Sequence, residues 1–306
     1  MRILITGGAG YIGTELTKYL LQNKQIKEIT VYDNLSIGHA NFFLGKKYPK
    51  DTRLNFVNGD ILDSRLLRKS LVGVDTVVHL AAKVTTPFAN NDPHFYEQIN
   101  HWGTAELTYA VEESNVKNLI YISSTSVYGA SSEECNEDSI PSPNTYYGIS
   151  KLRGEEHVSR LKSLEKNITL RCGNVYGYSK SMRFDAVINR FMFDANFKRR
   201  IQINGNGKQS RAFIHVFNLV EMIEKVITSD VQSGTYNVVD KSMQILDIVD
   251  VMKDIYPDLE FIFMNQHMNL WELRVDPSSK LYNQVERFKE KDFKEEMIEF
   301  QKGFAF

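Results

Sequence analysis

The stretch RILITGGAGYIG, residues 2–13, constrains the fold more than any other part of this 306-residue chain. A β-favouring run, RILIT, leads straight into glycines, and a helical pattern, IGTELTKYLLQ, begins before the glycines end. Gly7, Gly10 and Gly13 follow G-x-x-G-x-x-G, while Gly8, Gly10 and Gly13 follow G-x-G-x-x-G. A tight strand-to-helix turn of this kind leaves backbone N–H groups open at a helix N-terminus, where aligned peptide dipoles favour a phosphate. Glycine also suits such a turn for packing alone, so the context has to decide. Asp33 stands 20 residues after Gly13, at the end of the next β-rich run, EITVYD. There a carboxylate accepts from a ribose 2′-OH and repels a 2′-phosphate, which predicts NAD rather than NADP. Asp60 closes a third run, LNFVNGD, where adenine is expected, and Asp63 is placed to cap the following helix.

The first half continues the same alternation. The runs DTVVHLAA, NLIYISS and ITLRCGNVY read as strands, and residues 64–71, 94–114 and 145–162 read as helices. Continuous Val/Ile/Leu strands separated by helices predict a parallel sheet covered on both faces, an α/β, Rossmann-type doubly wound domain. After about residue 173 the rhythm changes. Helices are expected near 183–197, 217–229 and 244–256, with a turn at NGNG (204–207) and one more strand at GTYNVVD. The C-terminal third is expected to pack on the first domain as a lid.

Composition narrows the function classes. A formal net charge of −1 without a long basic tract argues against a grip on nucleic acid or on anionic membrane surfaces. No apolar run approaches the length of a membrane span and no signal peptide opens the chain, so a cytoplasmic protein is expected. Cys135 and Cys172 are the two cysteines, with no C-x-x-C pair, and the seven histidines are scattered, so no metal is expected.

The chemistry is carried by TYYGISK. Tyr147 and Lys151 are four apart in a helical pattern and share a face. An ammonium there, with the positive charge of a nicotinamide nearby, is expected to draw the phenol toward neutrality. Tyr146 has Ser150 at its fourth position instead, and Tyr176 with Lys180 repeats the spacing in a glycine-containing loop where no face is shared. Ser124 ends the strand NLIYISS one element earlier, at the sheet edge where open α/β folds bind ligands. It is placed to hydrogen-bond a reacting hydroxyl and relay its proton to Tyr147.

TGGAGYIG, YDNLSIGH, NGDI, HLAA, NHWGT, SSTSVYG, YYGISK, LRCGNVYG and GNGKQSRAFIHV, in this order over residues 1–220, resemble the extended short-chain dehydrogenase/reductases. Within these the resemblance is to nucleotide-sugar epimerases and dehydratases such as UDP-glucose 4-epimerases. It implies NAD contacts at Tyr11, Ile12, Asp33, Asn34, Asp60, Ile61, Leu80, Ala81, Ala82, Lys83, Tyr147 and Lys151. It implies a smaller C-terminal α/β substrate-binding domain that grips a nucleoside diphosphate through Asn174, Arg211 and Arg274. The NAD-binding domain is expected over residues 1–172 with a returning segment at about 208–240, and the substrate domain over 173–207 and 241–306. A homodimer is implied through helices at about 94–114 and 145–163, burying Trp102, Leu107 and Val158.

Thr125 and Ser126 stand where the 4,6-dehydratases of this family carry Asp and Glu, which speaks against elimination of water. The family's RDF-I-Y-V-D-D segment is here RAFIHVFN, with Ala212, His215, Phe217 and Asn218 at the altered places. The expected activity is epimerisation of a nucleoside-diphosphate sugar at C4 through a transient 4-keto sugar. The alternatives are an NAD(P)H-dependent 4-ketoreductase, using the same residues in one direction, and a catalytically silent NAD-binding regulator.

Overall fold

A computed structural model describes residues 1–36, 40–44, 53–84, 92–265 and 271–305. The end of the YDNLSIGH motif, residues 37–39, lies outside the described residues.

The alternating pattern folds in sequence order into β1 (Arg2–Thr6), α1 (Tyr11–Leu20), β2 (Glu28–Asp33), β3 (Leu54–Asn58), α2 (Ser64–Ser70) and β4 (Thr76–His79). Then come α3 (Pro93–Tyr96), α4 (Gly103–Glu112), β5 (Asn118–Ser124), β6 (Glu134–Cys135), α5 (Tyr146–Val158) and β7 (Lys166–Cys172). Asp63 accepts from Leu66 N–H at 3.0 Å and so caps α2. The second half holds β8 (Asn174–Tyr176), α6 (Val187–Lys198), β9 (Arg200–Asn204), β10 (Ser210–His215), α7 (Val216–Thr228) and β11 (Gly234–Val238). It ends with β12 (Lys241–Gln244), α8 (Ile245–Ile255), β13 (Glu260–Met264), β14 (Arg274–Val275) and α9 (Phe293–Gln301).

Seven strands form one sheet in the order β11-β7-β5-β4-β1-β2-β3, every neighbour parallel. Parallel strands put all their carboxyl ends on one edge, and that edge is where the site is built. One face carries Ile3, Ile5, Leu16, Leu20 and the apolar stripe of α7. The other carries Leu4, Val77, Leu107, Val111 and Val158. A separate core gathers α6, α8, α9, β9 and β10 around Phe191, Met192, Ile248, Met252 and Phe300. The parallel sheet with helices on both faces matches the expected doubly wound α/β class. No helix among the described residues is long and apolar enough to cross a membrane, and no group of three or more His, Cys, Asp or Glu among them is arranged to hold a metal.

Three local expectations are corrected. ITLRCGNVY is two strands: β7 belongs to the large sheet, whereas β8 pairs with β10 in a second, three-stranded sheet. Gly173 makes the break, because a Cβ there would stand 3.0 Å from the Phe213 backbone. The helix expected over 94–114 is interrupted, since Glu97–Trp102 widens into a π-helical turn between α3 and α4. Leu107 and Val158 do not face outward for a partner; both are 1% exposed and fill their own core, while Trp102 is 54% exposed.

Candidate active site at the carboxyl edge of the sheet

The glycine turn is close-packed on every side. Gly7 adopts φ +69°, and a Cβ on it would come within 2.6 Å of Ala81 N in the loop after β4. Gly13 lies so near Gly8 that its Cβ would meet the Gly8 Cα at 2.5 Å, so α1 sits directly against the turn. Gly10 begins α1 with no side-chain cap and no acidic residue follows in the first turn, leaving N–H groups for an anion. The Tyr11 phenol is turned away: it is buried and donates to Gly177 O at 2.5 Å. Ile12 packs on the sheet core, so what these two present to a cofactor is backbone.

Asp33 accepts from Ala9 N–H at 3.0 Å and from Leu35 N–H at 2.8 Å, which ties the end of β2 to the glycine turn. A carboxylate so placed keeps acceptor capacity for ribose hydroxyls. Asn34 donates to Asp60 at 2.8 Å, and Ile61 is buried beneath Gly103. Leu80, Ala81, Ala82 and Lys83 form the loop after β4. Asn100 in the π-turn clamps this loop, accepting from Lys83 N–H at 2.7 Å and donating to Lys83 O at 3.0 Å. His79 lies beneath it, fully buried between Thr6 (2.7 Å) and Thr104 (2.9 Å). Burial, with the charge of Lys151 as a lesser cause, pushes the His79 imidazole down to about 3. These residues fit NAD: the turn would hold the pyrophosphate, Asp33 the ribose and Asp60 the adenine side.

Tyr147, Lys151 and Ser124 meet at the same edge. α5 starts at Thr145, whose hydroxyl accepts from Gly148 N–H at 3.0 Å, and Gly148 admits close approach because a Cβ there would stand 2.5 Å from Ser126 O. The Tyr147 phenol lies beside the Ser124 hydroxyl. Ser124 is in turn linked to the Ser126 hydroxyl at 3.0 Å and accepts from Ser126 N–H at 3.1 Å. The Lys151 ammonium is buried, donates to Ile122 O at 2.6 Å and lies 4.3 Å from the centre of the Tyr121 ring. Burial lowers Lys151 to about 7, against the opposing influence of Glu155 and Cys172.

One electrostatic expectation changes. Burial raises the Tyr147 phenol above its ordinary value, and what eases its ionisation is the charge of Arg183 and the neighbouring Ser124 hydroxyl. The Lys151 charge is directed at Ile122 O instead. Arg183 and Asn100 were not singled out by spacing. The signal for Asn100 was a polar residue on the apolar side of a helix; Arg183 carried no signal at all. Cys172 is opposite Ser124 in the β5–β7 register and faces both Tyr147 and Lys151; burial pushes its thiol up to about 12.

The three expected diphosphate residues come from the second sheet and its surroundings. Asn174 on β8 donates to Ala212 O at 3.0 Å. Arg211 on β10 donates to the carbonyls of Ser210 and Trp271. Leu273 N–H bonds Ser210 O at 3.1 Å, which brings Arg274 on β14 beside β10. Asp276, two residues on, accepts from Ser278 N–H at 2.8 Å. Ala212, where the resembling family carries an acid, is fully buried with Val127, Tyr128 and Leu273, so a carboxylate there would be stripped of water. That small core joins the turn after β5, and hence Ser124, to β10 and β14.

With this geometry in view, the comparisons with known proteins are decisive. Residues 3–239 match the NAD dependent epimerase/dehydratase family. The chain belongs to this family. A Bacillus subtilis protein named as an uncharacterized UDP-glucose epimerase is 31% identical over 265 residues, covering 83% of this chain and 82% of its own. A dTDP-glucose 4,6-dehydratase of Mycolicibacterium smegmatis is 30% identical over 243 residues, 77% of this chain and 71% of its own. The solved structure of a UDP-glucuronic acid 4-epimerase from Bacillus cereus, in complex with UDP-glucuronic acid and NAD, superposes with a TM-score of 0.85 at 25% identity, covering 99% of this chain and 98% of that one. As a member of the NAD-dependent epimerase/dehydratase family, the chain uses NAD as its cofactor.

Proposed function

We propose that the chain is an NAD-dependent 4-epimerase of a nucleoside-diphosphate sugar. The observation that carries this reading is the row of hydroxyls at the carboxyl edge of the sheet, where Tyr147 stands beside Ser124, Ser124 hydrogen-bonds Ser126, and Thr125 and Ser126 rather than acids follow Ser124. NAD, when bound, supplies a reversible hydride acceptor.

The chain's own residues handle the proton and the position of the sugar. Tyr147 removes the proton of the sugar O4, through Ser124 or directly, and returns it to the same oxygen after the sugar has presented its other face. Lys151, held by Ile122 O, fixes the cofactor side of the site. Asn174, Arg211 and Arg274 hold the diphosphate, which spares the sugar from tight anchoring and leaves it free to turn. Relatives named as dehydratases share the fold, but elimination needs a proton donor and acceptor that Thr125 and Ser126 do not supply.

The test uses the purified protein, with the NAD that copurifies, and UDP-, dTDP-, GDP- and CDP-sugars. Product NMR should show interconversion of C4 epimers with no added reductant. Stoichiometric consumption of NADH or NADPH would select the ketoreductase instead. For the quaternary state we propose a homodimer across α4 and α5 with Trp102 at the contact. Sedimentation equilibrium should give twice the chain mass and Trp102→Glu half of that; a wild-type monomer would end that proposal.

A further inference from the structure

The π-helical turn Glu97–Trp102 and α5 bring together two histidines that play no part in the site at the sheet edge. His101 Nε2 and His157 Nε2 stand 3.1 Å apart, although the two residues are 56 positions apart in the chain, which is why spacing did not show the pair. His101 Nδ1 lies 2.9 Å from Glu97 Oε2, and Arg153 holds that same carboxylate oxygen at 2.7 Å. An ionised carboxylate only accepts, so the His101 proton sits on Nδ1 and Nε2 presents its lone pair. Trp102 stacks on the His101 ring at 4.8 Å between centres, and Tyr109 meets the His157 ring edge-on at 6.3 Å, so both imidazoles are backed by aromatic rings. The His101 side chain is 17% exposed, which leaves its coordinating edge within reach of water.

A histidine whose Nδ1–H is fixed by a carboxylate and whose Nε2 faces a second nitrogen has the form of a metal ligand with its orienting partner. Two nitrogens 3.1 Å apart both reach one ion at about 2.1 Å, with an angle of about 95° between the two bonds. That is near the right angle of a tetragonal or octahedral ion and tighter than the tetrahedral arrangement zinc prefers. Burial, then the charges of His101 and Arg160, hold His157 below its ordinary value against Glu156 and Glu112, so the ring stays neutral and able to ligate. The nearby cations are already matched, Arg153 by Glu97 and Arg160 by Glu112 at 3.3 Å. Two protein ligands fall short of the four of a structural site, and no third His, Cys, Asp or Glu among the described residues joins them. Water therefore fills the remaining positions, and the ion is exchangeable.

We propose that His101 and His157 form a binding site for a divalent transition-metal ion of tetragonal preference, of the Ni2+ and Cu2+ class, with Glu97 as the residue that orients His101. Without an ion, the His157 Nε2–H donates to the His101 Nε2 lone pair. Binding replaces that hydrogen bond: the His157 proton moves to Nδ1, both Nε2 lone pairs go to the ion, and no proton is released. The site shares no residue with Ser124, Tyr147 and Lys151 and does not depend on the epimerase reading.

Calorimetric titration of the untagged full chain, with its copurified NAD, uses NiCl2 as the probe. One Ni2+ should bind per chain, His101→Gln and His157→Gln should each abolish that binding, and Glu97→Gln should weaken it by about 10–100-fold. A second measurement needs no histidine variant to fold. Cu2+ on the wild-type chain should show two equatorial nitrogens in its electron paramagnetic resonance spectrum. It should also quench tryptophan emission, and the quenched part should vanish in Trp102→Phe, because Trp102 stacks on His101. Wild-type affinity in either histidine variant means an adventitious ion only and overturns the proposal, as does a copper spectrum with fewer than two nitrogens. Unchanged affinity in Glu97→Gln overturns the orienting role assigned to that residue.

Discussion

Tyr147 and His79 are both buried polar side chains, yet they answer to different parts of the molecule. In the proposed mechanism Tyr147 reaches the substrate directly or through Ser124, so Tyr147→Phe should reduce kcat by roughly 10²–10⁴-fold, the usual worth of a positioned acid–base group, with little change in NAD affinity. Product NMR and fluorescence titration of NAD would check the two halves. His79 has no such route and is held neutral between two threonine hydroxyls. Its folded value of about 3 lies below the unfolded 6.5, so the unfolded chain binds more protons across that window. Stability is therefore complete above pH 6.5 and falls as pH drops toward 3, by about 5 kcal/mol in all. Urea midpoints at pH 7 and 4.5 should show this loss, and His79→Leu, less stable at pH 7, should show a flatter pH dependence between them.

Elements in this fold are held at distances that glycine and one buried ion pair set. An alanine in an exposed helix interior normally gains about 1 kcal/mol over glycine. At Gly13 the new Cβ would stand 2.5 Å from the Gly8 Cα, so α1 must lift from the turn. Gly13→Ala should therefore destabilise by on the order of 2 kcal/mol and weaken NAD, read by urea denaturation and by NAD titration. On the opposite face, Glu155 on α5 pairs with Arg171 on β7 at 2.7 Å with both side chains under a tenth exposed, and Ser123 on β5 donates to the same carboxylate at 2.5 Å. Glu155→Gln or Arg171→Met alone should cost about 3–5 kcal/mol, because each leaves a buried charge without its partner. The double variant should recover much of that in the same assay, since both charges leave together.

The molecule as a whole is a large parallel sheet with a second core at one end, and the site lies where the turn after β5 packs on β10 and β14. A ligand that binds the folded chain alone stabilises it by mass action, about 2.7 kcal/mol at a hundredfold excess over Kd. Saturating NAD should raise Tm by several degrees, while NADP at equal concentration should raise it far less if Asp33 repels the 2′-phosphate. Calorimetry with each nucleotide, and with Asp33→Asn, tests that selectivity. The glycine turn, Asp33, the strand alternation and the spacing of Ser124, Tyr147 and Lys151 could all be read from the chain, because each rests on neighbours within one turn or one strand–helix unit. Arg183 at Tyr147, the Asn100 clamp on Lys83, the inward packing of Leu107 and Val158 and the division of β7 from β8 at Gly173 could not. Those depend on which distant segments share a volume: 36 residues separate Tyr147 from Arg183, and neither spacing nor propensity encodes a field that acts across the interior. Local geometry is written in periodicity; burial and charge environment arise when the second core closes on the first.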